Sequence, residues 1–294
     1  MLYKSWPGLT YEQTVFAKRL DLKSLKYIWK RSWMHEDIQG KDTLLLIVGD
    51  SWTWGDSILD IYMRSERYDH PDRVKFIYGA TLSKLFDADF INVGDGGGNN
   101  YDMLFRLRKL LEHNIKKYKK ILVAVTMTEN GRELTAPTKS IWAGRADTLD
   151  EFLINYERKM FTQFKALFDS YDTVTFLLGR NFTYSFEQNK DVVKNFHLEK
   201  TWVDIINEKV NSPYPNDIRF LSNAAIGPVE SFLRLHGLFD KVGEGMLLEF
   251  DKASKAIEWL SNSPYNHING TKHPTIEGHD MWANYLYEQF SRRI

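Results

Sequence analysis

Residues 44–55 are Leu44-Leu45-Leu46-Ile47-Val48-Gly49-Asp50-Ser51-Trp52-Thr53-Trp54-Gly55. A five-residue apolar run that ends in turn residues predicts a buried strand leading into a tight turn. Ser51 would then lie at the carboxyl end of a central strand, where open α/β sheets bind ligands, so its hydroxyl is a candidate nucleophile. The alternative is that Asp50 or Ser51 only caps the following helix, and the tripeptide alone favours the cap.

Further apolar runs predict three more strands, and amphipathic segments between them predict helices. The predicted strands are 88–93, 121–125 and 173–178. The predicted helices include one around 58–62, one with Val74, Ile77, Tyr78, Leu82 and Leu85 on one face, one over 104–115, one from Leu149, and a last one over 276–292 capped by Thr275. This alternation, with strands apolar on both faces, predicts an α/β fold: a flavodoxin-like, doubly wound parallel sheet with helices on both faces.

Two segments depart from this alternation of strands and helices. Residues 1–42 mix charged and aromatic residues without a clean period, which predicts an N-terminal arm with one or two short helices packed on the core. Residues 182–262 contain several Pro and Gly breaks and no strong strand, which predicts a helical insertion. Because no repeat or flexible linker separates these parts, we expect one domain over 1–294.

Composition narrows the class of function. The chain has 39 basic and 39 acidic residues, so no charge excess favours nucleic acid or a membrane surface as a partner. The absence of cysteine excludes disulfides, thiolate metal sites and a cysteine nucleophile. The amino terminus lacks the apolar core of a secretory signal, and no apolar run is long enough to span a bilayer, so a soluble cytoplasmic protein is expected. The aromatic content of 14% favours aromatic-lined sites such as those for sugars.

Four loop segments carry the polar residues of interest. They are Gly49-Asp50-Ser51, the glycine loop 94–98, Thr128-Glu129-Asn130, and His273-Pro274 before the last helix. The first three follow successive predicted strands, and loops at the carboxyl ends of such strands converge on one crevice.

This ordered set resembles the SGNH (GDSL-type) hydrolase family, whose blocks are a Gly-Asp-Ser nucleophile, a loop glycine, an asparagine and a late His-Pro. The resemblance covers residues 43–133 and 266–290. It implies a serine esterase that needs no cofactor and acts on a small-molecule or glycan ester. Among these substrates, the aromatic content alone favours a small acyl group on a carbohydrate.

The resemblance also implies a role for each matching residue. Ser51 would be the nucleophile and His273 the general base. The oxyanion hole would comprise Ser51, Gly97 and Asn130, with the adjacent Gly96 and Gly98 left as alternatives to Gly97. Chemically, a hydroxyl needs a base within hydrogen-bond reach, and a developing oxyanion needs fixed donors.

One position departs from the family pattern. An aspartate usually stands three residues before the histidine, but here the residue is Gly270, and the nearby Asn269 and His267 carry no permanent negative charge. Three alternatives therefore stay open: a backbone carbonyl orients His273, a carboxylate from elsewhere orients it, or the site is weakened. A Ser-His dyad can still act, because the third member chiefly fixes the tautomer and stabilises the imidazolium.

Several residues have two interpretations. Trp52 and Trp54 could shape a substrate pocket or pack in the core, and Arg132 could bind an anionic substrate or form a surface ion pair. His279 is expected to be a first-turn helix residue rather than a catalyst.

The same motifs admit other functions. The histidines at 267, 273 and 279 are six residues apart, so they do not share a helical face, and no metal site is predicted. The glycine loop lacks the Gly-Lys-Ser/Thr ending of a phosphate-binding loop, which leaves nucleotide binding as a lesser alternative. The main competitor of an esterase is a binding module that keeps the fold but lacks the acid.

Overall fold

The computed structural model describes residues 35–55, 58, 71–94, 99–128, 149–181, 189–210 and 273–294. The strands in these ranges are β1 (His35–Asp37), β2 (Thr43–Val48), β3 (Ala88–Asn92), β4 (Lys120–Met127) and β5 (Val174–Arg180). The α-helices are α1 (Ser51–Trp54), α2 (Tyr78–Leu85), α3 (Asn100–Asn114), α4 (Leu149–Phe168), α5 (Lys190–Val193), α6 (Trp202–Val210) and α7 (Ile276–Ser291). A 3₁₀ helix spans Pro71–Lys75.

The strands form one five-stranded sheet in the order β1-β3-β2-β4-β5. Strands β2 to β5 run parallel, and β1 pairs with β3 in the antiparallel direction. The chain adds β3 on one side of β2 and then crosses to add β4 and β5 on the other, which is the doubly wound, flavodoxin-like order. The predicted fold class is confirmed. The winding direction changes between β2 and β4, so the crevice for a ligand is expected at the carboxyl ends of these two strands.

Helices cover both faces of the sheet. Leu44, Leu46 and Val48 point to the layer formed by α3 and α4. Leu45 and Ile47 point to the opposite layer, formed by α2, α6 and α7. All five side chains are 0% exposed. Because full burial of such a side chain contributes about 1.5–3 kcal/mol, β2 is a central stabilising element and a rigid base for the turn that follows it.

The strand β1 corrects the predicted arm over 1–42. His35, Glu36 and Asp37 pair antiparallel with the end of β3, so the sheet is mixed rather than wholly parallel. A three-residue polar edge strand has no apolar alternation, and only backbone pairing defines it. The turn after it is held by the Asp89 carboxylate, which accepts hydrogen bonds from the backbone N–H of Gln39 at 2.7 Å and from those of the next two residues at 3.2 Å. The rest of the predicted arm, 1–34, lies outside the described residues.

The segment predicted as one helix around Val74 to Leu85 contains a 3₁₀ helix followed by α2. Leu85 was expected to face inward, but it is 46% exposed. It is the last residue of α2, and the next residue, Phe86, packs against α7 in its place, with its ring 5.8 Å from that of Phe290. The helix predicted around 58–62 lies outside the described residues except for the buried Ile58.

The predicted insertion, 182–262, is described only over 189–210. Within it, His197 forms an isolated parallel bridge to Leu178, and α6 packs into the core through Trp202, which is 0% exposed. In the described parts of the chain, no helix has the length and apolar character needed to cross a membrane. A single domain over 1–294 remains a prediction.

Candidate active site

Ser51 is the first residue of α1, directly beyond β2. The Asp50 side chain caps this one-turn helix by accepting a hydrogen bond from Trp52 N at 2.9 Å. Gly55 closes it in the left-handed region, with φ at 80°, and its N–H donates to the carbonyl oxygens of Ser51 and Trp52. The cap interpretation therefore holds for Asp50, while the Ser51 hydroxyl points to a different partner.

Two glycines let the strand exits come together. A Cβ on Gly49 would lie 1.9 Å from Thr53 Oγ1 and 3.1 Å from the carbonyl oxygen of Thr126. A Cβ on Gly94, beyond β3, would lie 2.4 Å from the backbone nitrogen of Trp54. Because backbone atoms cannot move away as a flexible side chain can, glycine is required where β3 exits against α1.

The structure brings Ser51 and His273 together across 222 positions in the sequence. His273 Nε2 lies 3.0 Å from Ser51 Oγ. His273 stands three residues before α7, whose start is fixed by Thr275 as N-cap. With the ring proton on Nδ1, Nε2 accepts the hydroxyl hydrogen of Ser51, which is the tautomer that a general base requires.

Asp50 connects three strand exits. Its carboxylate is 0% exposed and accepts a hydrogen bond from Thr128 Oγ1 at 2.8 Å and from Asn181 Nδ2 at 2.9 Å, besides that from Trp52 N. Thr128 follows β4 and Asn181 follows β5, so one carboxylate ties the turn that carries Ser51 to the exits of both strands. Asn181 had no predicted role, although its place directly after a strand was a usable signal.

Two asparagines fix the chain on either side of the glycine loop. Asn92 donates to the carbonyl oxygen of Thr53 at 3.0 Å and accepts from the N–H of Gly94 at 2.8 Å. Asn100 donates to the carbonyl oxygen of Thr128 at 3.1 Å and accepts from its N–H at 3.0 Å. The described ends of this loop are therefore anchored to α1 and to the exit of β4.

Several predicted site residues lie outside the described residues. These are Gly97 and its neighbours Gly96 and Gly98, Asn130, Arg132, and the positions before His273, including Gly270. Their roles remain predictions. Among the residues that the structure describes, no group of three His, Asp or Glu side chains is arranged to hold a metal ion.

Both tryptophans of the turn that carries Ser51 are buried. Trp52 is 4% exposed and packs edge-on against Trp202, with ring centroids 5.5 Å apart. Trp54 is 3% exposed and lies under the Arg73 guanidinium, which is 3.7 Å from its ring centroid. These contacts are those of core packing, and a role in a substrate pocket remains a prediction.

Two further buried groups lie close to the pair. His279, in the first turn of α7, is 0% exposed. Its pKa is lowered to about 3, mainly by burial and to a smaller extent by the charge of His273. It is therefore neutral at neutral pH. Burial raises the pKa of Tyr78, so its hydroxyl keeps its proton, and it lies 3.3 Å from Thr53 Oγ1 and 3.2 Å from Thr126 Oγ1.

No protein-family model matches the sequence, and no curated protein matches it. Solved structures do match most of the chain. One is a protein from Desulfitobacterium hafniense assigned to the lipolytic G-D-S-L family, with 10% identity over 83% of this chain and 98% of that chain and a TM-score of 0.35. Another is an acetyl-xylooligosaccharide esterase from Geobacillus, with 12% identity over 84% of this chain and 93% of that chain and a TM-score of 0.34.

A carbohydrate esterase described as having divergent catalytic and non-catalytic binding functions matches with 14% identity over 87% of this chain and 67% of that chain, and a TM-score of 0.39. The fold class rests on the strand order and the two helical layers described above. The chain is a doubly wound α/β protein, similar to these esterase structures, with a Ser51–His273 pair at the carboxyl edge of its sheet.

Proposed function

We propose that this chain is a serine ester hydrolase that acts through an acyl-Ser51 intermediate. The observation that carries the proposal is the 3.0 Å contact between His273 Nε2 and Ser51 Oγ. An unactivated hydroxyl is a weak nucleophile, and an imidazole nitrogen at this distance can take its proton as it attacks. The pair also lies where the winding of the sheet reverses, which is the expected position of a ligand crevice.

The proposed reaction has two acyl-transfer steps. Ser51 Oγ attacks the ester carbonyl while its proton passes to His273 Nε2, and the tetrahedral intermediate collapses as His273 returns that proton to the leaving alcohol. Water then attacks the acyl-serine by the same route and releases the carboxylic acid. The proposed oxyanion donors are the backbone N–H groups of Ser51 and Gly97 and the side-chain amide of Asn130, each worth about 3 kcal/mol of transition-state stabilisation.

The rigidity of residues 50–55, which we name the nucleophile turn, supports this role. Asp50 is held by donors from the exits of β4 and β5 as well as from Trp52 N. A turn that is fixed in this way holds Ser51 Oγ in place, so orienting the nucleophile adds little to the activation free energy. Asp50 is a positioning residue in this scheme, because these hydrogen bonds join the turn to the exits of β4 and β5.

The substrate that we propose is a small carboxylic ester, with a short acyl group on a carbohydrate as the favoured version. The support is the aromatic content of 14%, since aromatic rings commonly form the contact surfaces for sugars. The competing function is a binding module without turnover. It is favoured by one observation, the glycine at position 270 where the family has its aspartate.

Hydrolysis of p-nitrophenyl acetate separates the two functions. We expect the wild-type protein to release p-nitrophenolate at a rate that Ser51→Ala removes down to background. A matched control is Ser170→Ala, because Ser170 is an exposed serine just beyond α4 whose hydroxyl donates to the carbonyl oxygen of Ala166. Equal rates for wild type and Ser51→Ala would rule out Ser51 as the nucleophile.

A further inference from the structure

Tyr78 makes hydrogen bonds from both its backbone and its side chain toward the two halves of the site. It is the first residue of α2 and is 0% exposed. Its hydroxyl lies within hydrogen-bond distance of Thr53, in the same helical turn as Ser51, and of Thr126, near the end of β4. Its backbone N–H donates to His279 Nδ1 at 3.2 Å. One buried residue therefore contacts both the nucleophile turn and the helix that follows the candidate base.

His279 supplies a helix cap from another part of the chain. The N-cap residue of α2 is Ile77, which has no side chain that can accept from the first N–H groups. His279 Nδ1 accepts from the first of them instead. This bond requires an unprotonated Nδ1, and the neutral state of the buried ring meets that requirement. The bond joins the start of α2 to the first turn of α7.

A rigid packing arrangement surrounds this connection. Trp202 packs edge-on against both Tyr78 and His279, with centroid distances of 5.2 Å and 4.9 Å, and its Nε1 donates to the carbonyl oxygen of Gly278 at 2.9 Å. The Tyr78 and His279 rings are themselves stacked with an interplanar angle of 19°. Neither ring can shift without disturbing buried neighbours.

We propose that Tyr78 and His279 are positioning residues that set the separation of Ser51 Oγ and His273 Nε2. This inference rests on the proposed function, and it assigns no contact with substrate to either residue. The first turn of α7 begins three residues beyond His273, and Thr275 is the N-cap between them. The N–H of His279 donates to the carbonyl oxygen of Thr275 at 2.9 Å, so His279 is held close to the segment that carries His273. A displacement of about 1 Å between nucleophile and base is enough to lower a rate by up to about a hundredfold.

Three variants remove or keep the individual hydrogen bonds that Tyr78 and His279 make. His279→Leu removes the acceptor, while His279→Asn keeps one, because asparagine Oδ1 occupies nearly the place of Nδ1. Tyr78→Phe removes the hydroxyl and keeps the ring and the N–H. Ser83→Ala is the control, because Ser83 is a buried hydroxyl on the same helix that donates to Ala80 O at 3.0 Å.

The measurements are kcat and KM for p-nitrophenyl acetate, with each rate divided by the number of sites that a fluorophosphonate titrates. We expect His279→Leu and Tyr78→Phe to lower kcat about tenfold or more with KM changed less than about twofold. His279→Asn should restore most of kcat, and Ser83→Ala should match wild type. Loss of folded protein alone would lower the titrated sites but not the rate per site.

The inference is overturned if His279→Leu and Tyr78→Phe keep the wild-type kcat per site, or if only KM rises. If His279→Leu does not fold, Tyr78→Phe decides by the same criteria. The comparison of wild type with Ser51→Ala tests the proposed function separately. A crystal structure of a folded variant measures the distance between Ser51 Oγ and His273 Nε2 independently of activity. A distance beyond about 3.5 Å supports the inference, and an unchanged distance of 3.0 Å contradicts it.

Discussion

Replacing His273 with alanine is expected to lower kcat for p-nitrophenyl acetate by about a thousandfold, within the range for loss of a general base. The reason is the 3.0 Å contact to Ser51 Oγ, since without an acceptor the hydroxyl attacks with its proton still bound. Ser51→Ala should lower kcat at least as much. Because the two residues act as one unit, the double variant should be no slower than Ser51→Ala alone.

Steady-state kinetics of the four proteins check this expectation. His113→Ala is the matched control, because His113 is an exposed histidine near the end of α3 and should leave kcat unchanged. A folded His273→Ala protein that keeps the wild-type kcat would show that Ser51 reacts without His273. That result would contradict the nucleophile and base assignment.

Replacing Asp50 with alanine is expected to lower the free energy of unfolding by about 3 kcal/mol or more. The substitution leaves three buried donors without their acceptor: Trp52 N, the hydroxyl of Thr128 and the side-chain amide of Asn181. Each unsatisfied buried group costs about 1–3 kcal/mol. Since domains are stable by only about 5–15 kcal/mol, the loss should be visible as a large shift of the urea midpoint.

The control for Asp50 is Asp169→Ala. Asp169 is an exposed aspartate that pairs with Lys165 at the surface, and loss of such a pair typically costs less than about 1 kcal/mol. Equal midpoint shifts for the two variants would contradict the structural role of Asp50. Because the carboxylate holds the nucleophile turn, folded Asp50→Ala protein should also have a reduced kcat.

The fold could be predicted where continuous apolar runs report burial directly. Strands β2, β4 and β5 each contain a run that stays apolar on both faces, as is typical of sheets that helices cover on both sides, whereas β3 has only Phe90 and Ile91 between Asp89 and Asn92. The strand β1 has no such signal, because its three polar residues join the sheet only by backbone hydrogen bonds. The apolar periodicity of α2 also predicts burial of Leu85, which is exposed. The periodicity does not show at which residue a helix ends, and Leu85 is the last residue of α2.

The site was predictable in part because its residues follow strands. Parallel strands bring their carboxyl ends to one edge, so Ser51 and Thr128 were expected to be close, and Asp50 joins them. The approach of His273 depended on the resemblance to a known family, since no local pattern shows which helix start returns to the sheet. The link through Tyr78 and His279 had no sequence signal, because it joins a backbone N–H to a side chain 201 positions away.

Ser51 is, in our proposal, a nucleophile that His273 activates. The most direct measurement is the mass of the folded protein after treatment with a fluorophosphonate, followed by peptide mapping of the modified residue. We expect one adduct per chain, located on Ser51, formed much more slowly in His273→Ala and absent in Ser51→Ala. A folded wild-type protein with no adduct, or with an adduct that persists in Ser51→Ala, would contradict it.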